Sequence, residues 1–249
     1  MQGPSLQGDG DAQGNGGASD AGDDGSSEPS APGEVITFGA AYTGGQFHLG
    51  PVDWQESEWH NACAPLGGYK PSIRASEGQL LAGLWNGIAD VANDCDACIE
   101  VTTAKGKSAV LRVVTYGDTT PNSIDVSPEA YALLDSGEYP RAMSFKLARC
   151  PGDAHVVYEM QDASSEWWTS FWVRNASEPV TKLEVQSVNH KDFVVLTRNG
   201  DGTFNDQGGF GKGGFTIRLT GMSGKQITHT FSWPADGIGM KLLEAPSNF

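Results

Sequence analysis

The sequence predicts a mostly β fold, with a β-sandwich in its second half, from three observations. Glycine and proline number 33 and 13 in 249 residues, which suits short strands broken by many turns. After Cys150-Pro151-Gly152-Asp153 the helix signals stop, and short apolar, β-branched and aromatic runs recur between Gly/Asn/Ser clusters. The stretch from Asp162 to Asn175 sets Trp167, Trp168 and Trp172 among Thr, Ser, Phe and Val, a composition that favours a strand.

Taken in order, residues 1–33 are rich in Gly, Ser and Asp, with no Lys, Arg or aromatic residue. They cannot bury enough surface to offset their ordering entropy and are expected to be a disordered tail, a tether or a dispensable extension. From Val35 strand-like runs begin. Cys98–Thr102 and Ala109–Val114 flank Lys105-Gly106-Lys107 and read as a hairpin. Two helices are expected in this half. One follows the capping-box spacing of Ser76 to Gln79 and carries Leu80, Leu81, Leu84 and Trp85. The other starts at Ser127-Pro128-Glu129, an N-cap followed by proline at the first helical position. Beyond Arg149, strands are expected at 155–160, 166–174, 181–188, 193–198, 215–219 and 226–232. The boundaries are thus a tail at 1–33, a first domain at 34–149 and a second at 150–249.

A net charge of −15 and a pI near 4.5 argue against nucleic acid, anionic membranes and anionic pectin as partners. A neutral polysaccharide such as cellulose is compatible with that charge. No apolar run is long enough to span a bilayer, and no signal-like stretch opens the chain. Four cysteines, Cys63, Cys95, Cys98 and Cys150, fit two disulfides in a secreted protein whose export signal is absent from this chain, the alternative being a cytosolic set of free thiols. Three pairings are possible. The five histidines show no metal-ligand spacing with the cysteines, so no metal or cofactor is expected. Asn199-Gly200-Asp201-Gly202 has the flavour of a calcium loop but lacks the acid such a loop needs later, and reads as a glycine-rich hairpin. Asn175-Ala176-Ser177 matches a glycosylation sequon.

Strand alternation puts Trp168, Ser170 and Trp172 on one side and Trp167, Thr169, Phe171 and Val173 on the other. Rings beside Ser, Glu and Arg suggest a sheet face on which sugar rings stack. The competing reading packs all three indoles in a core, where each N–H needs a partner. Asp125, just before the helix at Ser127, is either a general acid or a structural capping residue. Polysaccharide hydrolysis usually needs a second carboxylate ~5–10 Å away, and Asp118 is the nearest in sequence.

Two motifs, Asn122-Ser123-Ile124-Asp125-Val126-Ser127-Pro128-Glu129-Ala130 and Ser164-Ser165-Glu166-Trp167-Trp168 followed by Val173-Arg174-Asn175, resemble the microbial expansins. Gly39–Gly45 looks like that family's opening strand, and Cys95-Asp96-Ala97-Cys98-Ile99-Glu100-Val101 like its Cys-Gly-Ala-Cys-Leu-Glu-Val strand. The resemblance covers Phe38 to the C-terminus. It implies a six-stranded double-psi β-barrel followed by an immunoglobulin-like β-sandwich that binds carbohydrate. It further implies Asp125 as the wall-loosening carboxylate, and Trp167 and Trp168 as platform rings on cellulose and related β-glucans of the plant cell wall. Trp172 and Phe204 are candidates for a third platform ring. Tyr42, Thr43, Tyr116 and Asp118 are candidates to line the barrel groove. The chain departs from the family at Thr115, where a second aspartate is common, at Ala41, where threonine is common, and at Gln161, where a basic residue is expected.

The expectation is a monomeric, non-hydrolytic wall-loosening protein. The alternatives are an endoglucanase or lytic transglycosylase with Asp125 as acid, and a binding-only protein with an inactive barrel.

Overall fold

The computed structural model describes residues 34–54, 61–73 and 78–249. Val35–Phe249 form one compact unit. The expected disordered tail, and Ser76 and Glu77 of the capping box, lie outside the described residues.

Six strands close a barrel: β1 (Thr37–Leu49), β2 (Leu81–Trp85), β3 (Cys98–Thr103), β4 (Ser108–Gly117), β5 (Ile124–Val126) and β6 (Ala142–Ala148), in the order β1-β5-β2-β4-β3-β6. Two neighbouring pairs, β1 with β5 and β2 with β4, are parallel. The expected hairpin is β3 and β4, paired from Cys98↔Arg112 to Thr102↔Ser108. Inside the ring pack Phe47, Leu84, Ile99, Val101, Leu111, Val113, Ile124 and Phe145.

One expected helix is present. α1 (Pro128–Leu134) follows Ser127, whose Oγ accepts the Ala130 amide at 3.4 Å. The other is a correction: Leu81–Trp85 is strand β2, hydrogen-bonded between β4 and β5. Leu81 and Leu84 at helical spacing fit a strand buried on both faces equally well. The ladders that decide between them come from β4 and β5, remote in the chain. A 3₁₀ turn at Val91–Asp94, unforeseen, precedes β3.

The remaining strands form a sandwich. One sheet has the order β10-β9-β13-β14, from β9 (Val180–Gln186), β10 (Val194–Val195), β13 (Phe215–Gly221) and β14 (Gln226–Phe231). The other is β11-β12-β8-β7-β15, from β7 (Val157–Met160), β8 (Thr169–Arg174), β11 (Thr197–Arg198), β12 (Phe204–Asp206) and β15 (Leu242–Glu244). Tyr158, Phe171, Leu183, Phe210, Phe215, Ile217 and Leu219 fill the space between them. β8 begins at Thr169 rather than Glu166, because Ser165 and Trp168 close a turn through the Ser165 amide and the Trp168 carbonyl at 2.7 Å. The expected run 193–198 splits into β10 and β11.

Every residue of β8 is buried. Phe171 and Val173 enter the sandwich core, while the alternate residue Arg174 reaches the barrel. Its Nη1 donates to the Cys63 carbonyl at 2.8 Å and to Asp96 Oδ2 at 2.5 Å, and its Nε donates to Glu159 Oε2 at 2.8 Å. The second face is covered by the barrel, so a strand buried on both sides carries Trp and Arg there instead of Val and Ile. The disulfides are Cys63–Cys95 and Cys98–Cys150. The first brings the carbonyl of Cys63 and the carboxylate of Asp96 to the same guanidinium.

Candidate carbohydrate-binding site

Across the barrel surface the register sets His48 beside Asp125, Asp125 beside Gly83 and Gly83 beside Thr115. Ile124 and Val126 point inward and are buried, so Asp125 between them faces outward and is half-buried. A groove of ≈ 460 Å³ runs over this row, lined by Asp125, Thr115, Tyr116, Asp118 and Asn61 among others. Two glycines keep it open. A Cβ on Gly83 would lie 2.8 Å from Thr115 Cγ2, and one on Gly50 would lie 2.5 Å from Asp125 Cβ. Burial raises the Asp125 carboxyl above the usual range, with His48 pulling it back. A carboxylate so placed can accept sugar hydroxyls.

The Thr115 hydroxyl accepts the Ala62 amide at 2.9 Å, so this side chain is committed to holding the loop after Asn61. Asp118 sits just past β4 at the groove edge, where its Oδ1 accepts Asn86 Nδ2. The Tyr116 hydroxyl donates to the Gly200 carbonyl, linking the groove wall to the sandwich. Tyr42 and Thr43 stand elsewhere. Tyr42 stacks on Phe145 with centroids 4.7 Å apart, and the groove lining includes neither residue. Both belong to the part of β1 that pairs with β6, Tyr42 opposite Phe145, whereas only Phe47–Leu49 pair with β5 and reach Asp125.

On the sandwich, Trp167 is 72% exposed and Trp168 is half-buried. Both belong to the turn before β8, so they do not alternate on a strand as expected. Loop 207–213 braces the turn: the Gly211 amide donates to the Glu166 carbonyl at 3.0 Å, and Lys212 pairs with Glu166 at 3.1 Å. Gly209 is required there, since its φ is +65° and a Cβ would lie 2.4 Å from the Glu166 carbonyl oxygen.

Trp172 and Phe204 are corrections, for neither offers a ring face to solvent. Trp172 is 3% exposed, with Nε1 donating to the Asp201 carbonyl at 2.9 Å and the Arg174 guanidinium 4.9 Å from its ring. Phe204 is 4% exposed and belongs to the sandwich core beside Phe171. The calcium-like segment is a docking hairpin. Arg198 Nη1 donates to the Asn93 carbonyl, and Gly202, with φ +79°, abuts Cys95, where a Cβ would meet the Cys95 Cβ at 2.6 Å. Among the described residues no group of three His, Cys, Asp or Glu could hold a metal ion, and no helix is long and apolar enough to cross a membrane. Sequence reasoning missed Gly50, Gly83 and His48, which the strand register alone brings to Asp125.

No family model matches the chain. It is 24% identical over 204 residues to Expansin-YoaJ of Bacillus subtilis (strain 168), covering 77% of this chain and 74% of that protein. It is also 24% identical over 190 residues to Expansin-like protein 6 of Dictyostelium discoideum, covering 70% of this chain and 62% of that protein, so it spans less than two thirds of the latter. In fold it matches the crystal structure of an apo Clavibacter michiganensis expansin with a TM-score of 0.64 at 19% identity, covering 84% of this chain and 98% of that one. A mutant of that expansin in complex with cellohexaose matches with a TM-score of 0.63 at 19% identity and the same coverage. The chain resembles the bacterial-type expansins in sequence and in fold.

Proposed function

We propose that this bacterial-expansin-like chain is a secreted, monomeric protein that binds cellulose and related β-glucans and loosens cell walls without hydrolysis. In this reading the barrel, at 34–149, grips a glucan through the groove at Asp125, and the sandwich, at 150–249, anchors it by stacking on Trp167 and Trp168. The observation that carries the reading is the pairing of an outward carboxylate in an open groove with a 72% exposed indole on the attached sandwich. Two disulfides agree with an oxidising compartment, and the cellohexaose bound by the Clavibacter protein agrees with a glucan ligand.

Non-hydrolytic action is supported by what surrounds Asp125. Thr115, not an acid, faces it across Gly83. Without a base or nucleophile the two-carboxylate mechanism does not run. One observation favours a second reading, an endoglucanase or lytic transglycosylase, because Asp118 lines the same groove as Asp125. Wall-extension and reducing-sugar assays on one preparation separate the two. The first reading expects extension without sugar release, and expects Asp125→Asn to abolish extension while sparing cellulose binding. Sugar release that disappears in Asp125→Asn overturns it.

A further inference from the structure

A cleft of ≈ 670 Å³ opens between the barrel loop at Ala64–Pro71 and the sandwich, and shares no lining residue with the groove or the Trp167 turn. Its sandwich wall carries Glu159, Gln161, Asp162, Trp172 and Asp201. Gln161 and Asp162 directly precede the turn bearing Trp167 and Trp168. Asp201 directly follows Gly200, whose carbonyl accepts the Tyr116 hydroxyl of the groove wall. The sandwich wall of the cleft therefore neighbours both proposed glucan contacts along the chain.

Its chemistry is specific. Glu159 is 1% exposed and gives Oε2 to Arg174, while its Oε1 has no hydrogen-bond partner. A buried acceptor left open costs free energy until a donor reaches it. Asp201 uses Oδ1 to hold the Thr203 amide and hydroxyl, leaving Oδ2 to a long 3.4 Å contact with Gln161 Nε2. Asp162 Oδ1 accepts the Ala163 amide, and its side chain is exposed at the rim. Lys70 on the opposite wall gives its ammonium to the Met240 carbonyl at 2.6 Å. Open acceptors thus face the cleft, and the Asp162 and Asp201 carboxylates outnumber the one Lys70 ammonium, which disfavours an anionic ligand. Leu66 stands 86% exposed at the mouth. Hydroxyl donors above, with apolar C–H surface against the exposed Leu66 side chain, describe a neutral sugar rather than a uronate.

We propose that this cleft is a hydroxyl-reading subsite for one or two sugar residues of a neutral β-glucan, neighbouring groove and platform along the chain. It does the work a third surface ring would do, since Trp172 and Phe204 are both buried. The proposal rests on the reading of Trp167 and Trp168 as a glucan platform.

The test is calorimetric titration of the full chain with cellotriose and cellohexaose. Gln161→Ala/Asp162→Ala removes two rim groups, and Leu66→Ser removes the apolar contact at the mouth, at an exposed position that folding does not need. Both variants are expected to weaken cellohexaose binding about five- to tenfold. Cellotriose, too short to reach cleft and platform together, is expected to bind them as it binds wild type. If cellohexaose binding depends on Trp167 and Trp168 but both cleft variants match wild type, the subsite is overturned and the platform stands. If Trp167→Ala/Trp168→Ala has no effect, the platform falls and the subsite with it. Equal or tighter binding of an oligogalacturonate also overturns the subsite.

Discussion

Arg174 of the sandwich and Asp96 of the barrel meet at 2.5 Å with both side chains out of solvent. The guanidinium also holds Glu159 at 2.8 Å and lies 4.4 Å from the centre of the Tyr69 ring. One cation thus ties two carboxylates and a carbonyl from both halves of the molecule. Removing it strands buried charge. Arg174→Met is expected to destabilise the fold by about 3–5 kcal/mol, read from urea midpoints. Adding Asp96→Asn and Glu159→Gln should recover most of that loss. A single variant as stable as wild type would show that the pair contributes nothing.

The same carboxylate makes stability depend on pH in an unusual sense. Burial raises Asp96 from 3.8 to about 6, against the lowering pull of Arg174. A carboxyl raised on folding contributes stability that is complete below its unfolded pKa and lost as pH rises through its folded one. Relative to Asp96→Asn, the native chain should therefore gain stability on acidification from pH 7 to pH 4. Asparagine suits the position, where φ is +65°. Urea unfolding of both proteins at the two pH values checks this, and a constant gap between them contradicts it.

Trp167 reaches solvent with little packing, so Trp167→Ala should leave stability within about 0.5 kcal/mol of wild type. By analogy with base–aromatic stacking, worth ~1–3 kcal/mol, its loss should weaken binding to insoluble cellulose about tenfold. Pull-down isotherms beside thermal melts measure both quantities. Unchanged binding would remove Trp167 from the site.

Gly50→Ala tests the groove without replacing its carboxylate. The new methyl would arrive 2.5 Å from Asp125 Cβ, so Asp125 must move. Wall extension is expected to fall sharply while cellulose binding through the sandwich persists. Loss of both together in a folded variant would mean that the groove itself carries the binding.

Stacking on a neutral polymer is not ionic, whereas the chain carries a net charge of −15. Cellulose binding should accordingly survive a rise from low to moderate ionic strength, and binding to pectin-rich walls should be weak at low salt. A steep fall in cellulose binding with salt would contradict a stacking mode.

What the sequence made legible was local. Ser127-Pro128 announces α1 because cap and proline act within one turn. The glycine-flanked run 215–219 announces β13 because alternation and turns act within a few residues. Leu81–Trp85 was misread because its partners, β4 and β5, lie remote in the chain. Trp172 was misread for a related reason: the surface that buries it belongs to the other half of the molecule, and no pattern within 162–175 records that cover. The cysteine pairing stayed open because spacing constrains neither bond, and only the closed barrel brings Cys63 to Cys95 and Cys98 to Cys150.

The bond from Tyr116 to the Gly200 carbonyl, with Gly202 seated on Cys95, fixes more than an interface. In the proposed function it turns two weak glucan contacts into one bidentate grip, in which capture at the tryptophans would raise the effective concentration of the neighbouring chain segment at Asp125.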